Sequence, residues 1–240
     1  MSNDKKLSSF MLLWAVLAVL SFFIKENKIF DYLLLAATPI LLMLVIFHCL
    51  KIIRLLPPVN VKSPLFIVGL LIIVGGSLFD IITTVIICPT LESEANIFVT
   101  SMFAQGAPLF AIYAYNFLVQ CLLILMGSLL WILFCKRLPV IIQKLPSKNV
   151  WYTYIQLCSG ENATFKDFIC SKIDPFYFNV SLAPFFIAGC IFRIYCGFEW
   201  LQLTPISRLY VPVALLFFAN IFYVIYVDRK LKLKLKLKVA

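Results

Sequence analysis

The sequence predicts an all-α integral membrane protein: a bundle of six spans with a short re-entrant or interfacial helix after the third. Three observations predict it. Of the 240 residues, 63% are hydrophobic and 13% charged, whereas a soluble domain is near half apolar and a quarter charged. The uncharged runs are about 20 residues long, the length of a helix that crosses ~30 Å of hydrocarbon. The chain has 8 Gly against 23 Phe, and no alternating ten-residue pattern. Helices, rather than a lipid-facing barrel, are therefore expected to satisfy the backbone in lipid. The length fits one transmembrane domain, 1–240.

The first span is placed at 7–24. It follows a short polar start with Lys5 and Lys6. Its apolar run resembles the middle of a secretory signal, but Lys25-Glu26-Asn27-Lys28 follows in place of a small-residue cleavage site. The second span, 29–50, has Asp31 at its start and Pro39 inside, and Lys51 and Arg54 end it. Pro57-Pro58 makes a stiff turn. The third span, 65–88, is uncharged except for Asp80. Helical spacing puts Gly76, Ser77, Asp80, Thr83 and Thr84 on one face. Small and polar residues on one face mark a helix–helix contact in lipid.

Residues 97–135 are too long for one crossing at ~20 residues per span. Gln105-Gly106-Ala107-Pro108 is expected to break them into the short helix, 97–104, and a fourth span, 108–135. Tyr113, Asn116 and Gln120 give that span a polar face. Residues 136–179 are predicted as a cytoplasmic loop holding Lys136, Arg137, Lys144, Lys148, Lys166 and Lys172. Within it, 140–145 and 151–157 are expected on the membrane surface. The fifth span, 180–201, contains Arg193, and the sixth, 209–227, contains Asn220. A basic tail, 228–240, closes the chain with a Leu-Lys alternation. Its Lys230, Lys232, Lys234, Lys236 and Lys238 are read as a flexible anchor for anionic lipid headgroups, at ~1 kcal/mol per Lys near the surface. A merely topogenic tail is the plainer alternative, and a period of 2 also fits an edge strand.

The net charge of +10 points to membrane orientation, because the basic residues flank apolar runs; no nucleic-acid partner is expected. With the N-terminus inside, the inner segments hold 17 Lys and Arg and the outer ones 3, namely Lys25, Lys28 and Arg208. That bias predicts the plasma (inner) membrane with both termini cytoplasmic. It puts 92–96 outside and Asp80 in the outer half of the bilayer. Membrane lipids are the expected partners, and the oligomeric state stays open. The eight Cys contain no Cys-x-x-Cys and read as small buried hydrophobes. A metal role for the lone His48 is not expected, since zinc sites draw on several ligands.

Asp80 and Arg193 each lie eight residues before the outer end of a span, and both spans run outward. At 1.5 Å per residue both sit ~12 Å deep, so an ion pair between them is expected. Glu94 and Asn96 follow closely enough to fold back over Asp80. Asp80 and Glu94, with neighbouring hydroxyls, are candidate ligands of a divalent cation or candidate general acid and base. The structural alternative is a capped turn, with Glu94 or Asn96 satisfying the first amides of the next helix. Arg193 is the third catalytic candidate. Thr83, Thr84, Asn96, Gln105, Tyr113, Asn116 and Gln120 are the candidates for a polar path.

Asp80-x-x-Thr83-Thr84 followed by Glu94-x-Asn96 resembles the signature of a family of small prokaryotic membrane proteins of unknown function, Asp-x-x-Thr-Thr with Glu-x-Asn-Pro after a short loop. The resemblance covers about 75–97, and Ile97 stands where the family has Pro. It implies a membrane fold and a polar site, and no activity. Cys158-Ser159-Gly160 is similar to the nucleophile motif of exosortase-type membrane transpeptidases. Arg193 fits the downstream Arg they require, but no His follows His48 and a Cys nucleophile needs a positioned base. No P-loop, Gly-rich dinucleotide turn, His-Glu-x-x-His or Gly-x-Ser-x-Gly is present. Three functional classes stay open: a small transporter, channel subunit or membrane partner protein; an enzyme acting on a lipid or lipid-linked substrate at the outer leaflet; and a purely structural bundle.

Overall fold

The computed structural model describes residues 2–24, 28–91, 97–145, 150–170, 173–201 and 210–239. Among them the chain forms nine helices and no strand. These are α1 (Asn3–Phe23), α2 (Lys28–Arg54), α3 (Pro64–Ile87), α4 (Ile97–Ala104), α5 (Leu109–Lys144), α6 (Val150–Ser159), α7 (Phe165–Ile169), α8 (Pro175–Trp200) and α9 (Tyr210–Val239).

Four of them are long and apolar enough to cross a membrane: Ile29–Arg54 of α2, Pro64–Ile87 of α3, Leu109–Lys144 of α5 and Pro175–Phe198 of α8. The protein is thus helical with four membrane-capable helices among the described residues. The other two expected spans fall in helices of mixed character. α1 opens with Asp4, Lys5 and Lys6, and α9 runs its apolar half into the basic tail. Large apolar side chains face outward, among them Leu71, Ile86, Phe117 and Phe222. Scattered exposed Leu is ordinary, but a surface this rich in Leu, Ile and Phe suits hydrocarbon.

The helix ends follow local chemistry. The Ser2 hydroxyl accepts from the Lys5 amide at the start of α1, and Asp4 in its first turn suits the positive end of the helix dipole. Pro64 starts α3, where a missing amide hydrogen costs nothing. The predicted break after α4 is a Schellman motif. Gly106, with φ of +72°, donates to the Phe103 carbonyl, and Ala107 donates to Met102.

α5 is central, packing on α2, α3, α8 and α9. One apolar core joins α1, α2 and α5 through Leu7, Leu42, Val45, Leu130 and Leu133. A second joins α3, α5, α8 and α9 through Ile73, Trp131, Phe134, Val180 and Tyr223.

Two expectations are corrected. The polar loop does not begin at 136, because α5 continues unbroken to Lys144 through Pro139. Lys136 and Arg137 do not end the helix because neighbours satisfy them. Lys136 Nζ donates to the carbonyls of Ile53 and Leu56 at the end of α2, and Arg137 pairs with Asp4. The expected surface segment 140–145 is therefore the last turn of α5 and the residue that follows it, with Ile141 and Leu145 buried. The basic tail is neither a strand nor a flexible arm: α9 carries it as helix to Val239. Leu231 is buried, and Lys234 Nζ donates to the Ile142 and Gln143 carbonyls that the end of α5 leaves open. Lys232 pairs with Asp228 one turn earlier at 2.6 Å, and Lys230 lies over the Tyr226 ring. The side chains of Lys236 and Lys238 lie outside the described residues.

Candidate functional site

A polar junction forms where α3, α5 and α8 meet. The approach of α3 to α8 sets it up. A Cβ at Gly76 would stand 2.8 Å from the Cys190 carbonyl oxygen, so only glycine lets the two backbones come this close. One turn further along each helix, Asp80 meets Arg193. Arg193 Nε donates to Asp80 Oδ2 at 2.9 Å. One terminal nitrogen donates to Ser77 Oγ at 3.3 Å and the other to Gln120 Oε1. Gln120 Nε2 reaches Asn116 Oδ1 one turn earlier at 3.5 Å. A guanidinium presents donors in a fixed fork, so one Arg can tie three helices at once. Both charged side chains are 19% exposed.

The junction opens onto a cavity of about 110 Å³. Asp80, Thr84, Tyr113, Asn116 and Gln120 line it, with Leu91 and Phe117 among its apolar walls. The turn after α3 borders it through Leu91. Tyr113 donates its hydroxyl proton to the Pro89 carbonyl and ties that turn to α5. Leu91 holds φ of +57°, a strained value for a branched side chain, and is buried. Strain of this kind, about 1 kcal/mol or more, persists where surrounding packing dictates it.

The structure brings Asp80, Arg193, Thr84, Tyr113, Asn116 and Gln120 to one place. It does not bring Thr83 or Gln105 there. Thr83 turns to α8, near Gly197, and its hydroxyl is used by the Phe79 and Asp80 carbonyls of its own helix. Gln105 sits in the turn after α4, its side-chain nitrogen buried and without a partner. Glu94 and Asn96 lie outside the described residues. Among the described residues no group of three or more His, Cys, Asp or Glu gathers as a metal site would.

A second buried ion pair escaped the sequence reading. Arg137, 3% exposed, grips Asp4 with both terminal nitrogens, at 2.6 and 3.0 Å. Asn179 Nδ2 also donates to the Asp4 carboxylate, and Ser8 donates to Asn179 Oδ1. The Arg137 guanidinium lies 4.4 Å from the centre of the Phe176 ring. Counting Arg137 as a topogenic charge hid it. The legible signal was Asp4, an acid in an otherwise basic start.

Cys158 lies at the end of α6 beside Tyr154. Burial pushes its thiol above the ordinary value, against a smaller opposite pull from the Tyr154 hydrogen bond. A nucleophilic cysteine is activated the other way, by a lowered value.

No protein-family model matches this sequence, and no curated protein or solved structure matches it either.

Proposed function

We propose that the chain is a membrane protein crossing the bilayer six times, with α1 and α9 added to the four long apolar helices and both termini in the cytoplasm. The Asp80–Arg193 pair then lies in the outer half of the bilayer. The reading supported best is a small transporter or channel subunit with its polar site at that pair. A carboxylate and a guanidinium inside a membrane bundle are costly, and they mark pathways more often than they merely hold helices together.

The observation that carries this reading is the cavity of about 110 Å³, lined by Asp80 of the pair and by amide and hydroxyl groups. Each water occupies ~30 Å³ in the liquid, so the space suits a few waters or a solute of a few heavy atoms. The pair sums to zero charge, which favours a neutral hydrogen-bonding solute over an ion. Arg193 already holds the Asp80 carboxylate, so a divalent cation there has to displace it. Pockets for larger ligands run ~300–1,000 Å³, which counts against a lipid-linked headgroup at this site and hence against the enzyme reading.

Stopped-flow swelling of proteoliposomes in urea, formamide and glycerol gradients tests it. The wild type is expected to admit at least one of these faster than protein-free vesicles, and Gln120→Leu is expected to remove the difference. Equal rates for every solute with and without protein favour the structural bundle instead.

A further inference from the structure

A separate and larger cavity, about 320 Å³, lies where α6 packs on α8 and α9. We propose that it is a binding site for an uncharged amphiphile: an apolar chain or ring carrying one hydroxyl or carbonyl.

Three features define this ligand. The walls are mostly apolar, with Leu157, Phe178, Leu182, Phe185 and Val224 among them beside the polar Tyr154, Ser159 and Asn220. No described residue lining the cavity is charged, so an anionic headgroup or a cation finds no counter-charge there. One end carries an unused polar group. The Tyr223 hydroxyl is buried, makes no hydrogen bond of good geometry, and has the Ser181 hydroxyl as a looser polar neighbour. Ser181, beside it and lining the same cavity, donates to the Leu157 and Tyr177 carbonyls instead. A buried hydroxyl without a partner is unfavourable, and native structures keep few of them. A ligand oxygen placed in the cavity satisfies Tyr223 while its apolar remainder fills the space between Leu182 and Phe185. The volume falls at the lower end of small-molecule sites, consistent with a chain of moderate length rather than a whole phospholipid.

Cys158 also lines the cavity and serves as a reporter. The test follows alkylation of each cysteine of the purified wild type by N-ethylmaleimide, resolved by peptide mass spectrometry. Decan-1-ol and decane are compared at equal mole fraction in the detergent. Decan-1-ol is expected to slow labelling of Cys158 by ~3-fold or more, the result of about two-thirds occupancy. Exposed Cys170 is expected to be unaffected, and decane to do far less at Cys158. Tyr223→Phe keeps the ring and is expected to reduce the alcohol's effect to that of the alkane. Equal slowing by alkane and alcohol, or equal slowing at Cys170, overturns the proposal. So does undiminished discrimination in Tyr223→Phe.

Discussion

Arg137 and Asp4 stand 133 residues apart in the chain and 2.6 Å apart in the fold. The contact fastens the first turn of α1 to α5, and Asn179 of α8 completes it. The carboxylate here has two roles. It stands near the positive end of its own helix and neutralises a guanidinium that is 3% exposed.

Removing either partner leaves the other buried without compensation. Asp4→Ala is expected to destabilise the protein by ~3 kcal/mol. Arg137→Lys is expected to recover only part of the wild-type stability, since an ammonium cannot bridge both carboxylate oxygens in one plane. Denaturation in detergent checks both. A loss under ~0.5 kcal/mol for Asp4→Ala, the range of ordinary surface changes, shows that the latch does not hold α1.

Gly75 and Gly76 form a matched pair of probes. A Cβ at Gly76 meets the Cys190 backbone oxygen at 2.8 Å, and one at Gly75 meets nothing within 4 Å. Gly76→Ala forces α3 from α8 and is expected to cost ~1–3 kcal/mol, as overpacking does. Gly75→Ala is expected to be neutral or stabilising, because alanine is the better helix former. Equal melting temperatures for the two variants contradict the close approach that sets up the polar junction.

Charge reversal tests the junction itself. Asp80→Arg and Arg193→Asp each place two like charges together across α3 and α8. Each is expected to lose about 2 kcal/mol or more, less than the ~3–5 of a fully buried pair because both side chains retain some solvent contact. The double reversal is expected to restore much of the loss, although Gln120 and Ser77 then face the wrong group. A double variant no better than either single variant rules out an energetic coupling between them.

Burial raises the Cys158 thiol. A raised value means a smaller thiolate fraction at any given pH, and the thiolate is what alkylates. The pH midpoint of Cys158 labelling is therefore expected above the ~8.5 of a free cysteine. A midpoint below that value contradicts the buried setting and revives a nucleophilic role.

Much of the junction was legible in the sequence because lipid makes polar residues rare. A lone Asp80 and a lone Arg193 stood out at matching depth, and helical spacing put Gly76 and Ser77 on the face of Asp80. Gln120 and Asn116 formed a polar stripe for the same reason. The break at 105–108 was legible because glycine and proline there do specific work at a helix end. Charges near helix ends misled, since Lys136, Arg137 and Lys234 resemble topogenic markers in sequence. Their partners are open carbonyls of α2 and α5, and Asp4. No spacing rule pairs such groups across 80 residues or more. The Leu-Lys tail misled because its period of 2 conflicts with helix geometry, yet Leu231 and Lys234 gain enough from α5 to extend α9.

In the proposed topology Asp80 and Arg193 stand beside a polar space reached from the outer face of the membrane. The most direct test replaces Asn116, which lines that space, with cysteine in a background lacking the other eight. Intact cells and inside-out vesicles are then treated with a membrane-impermeant methanethiosulfonate. The account predicts rapid labelling of Asn116→Cys from outside and slow labelling from inside, with the reverse for a cysteine added at the C-terminus. Labelling of Asn116→Cys from the inside alone, or from neither side while the terminal cysteine reacts, contradicts it.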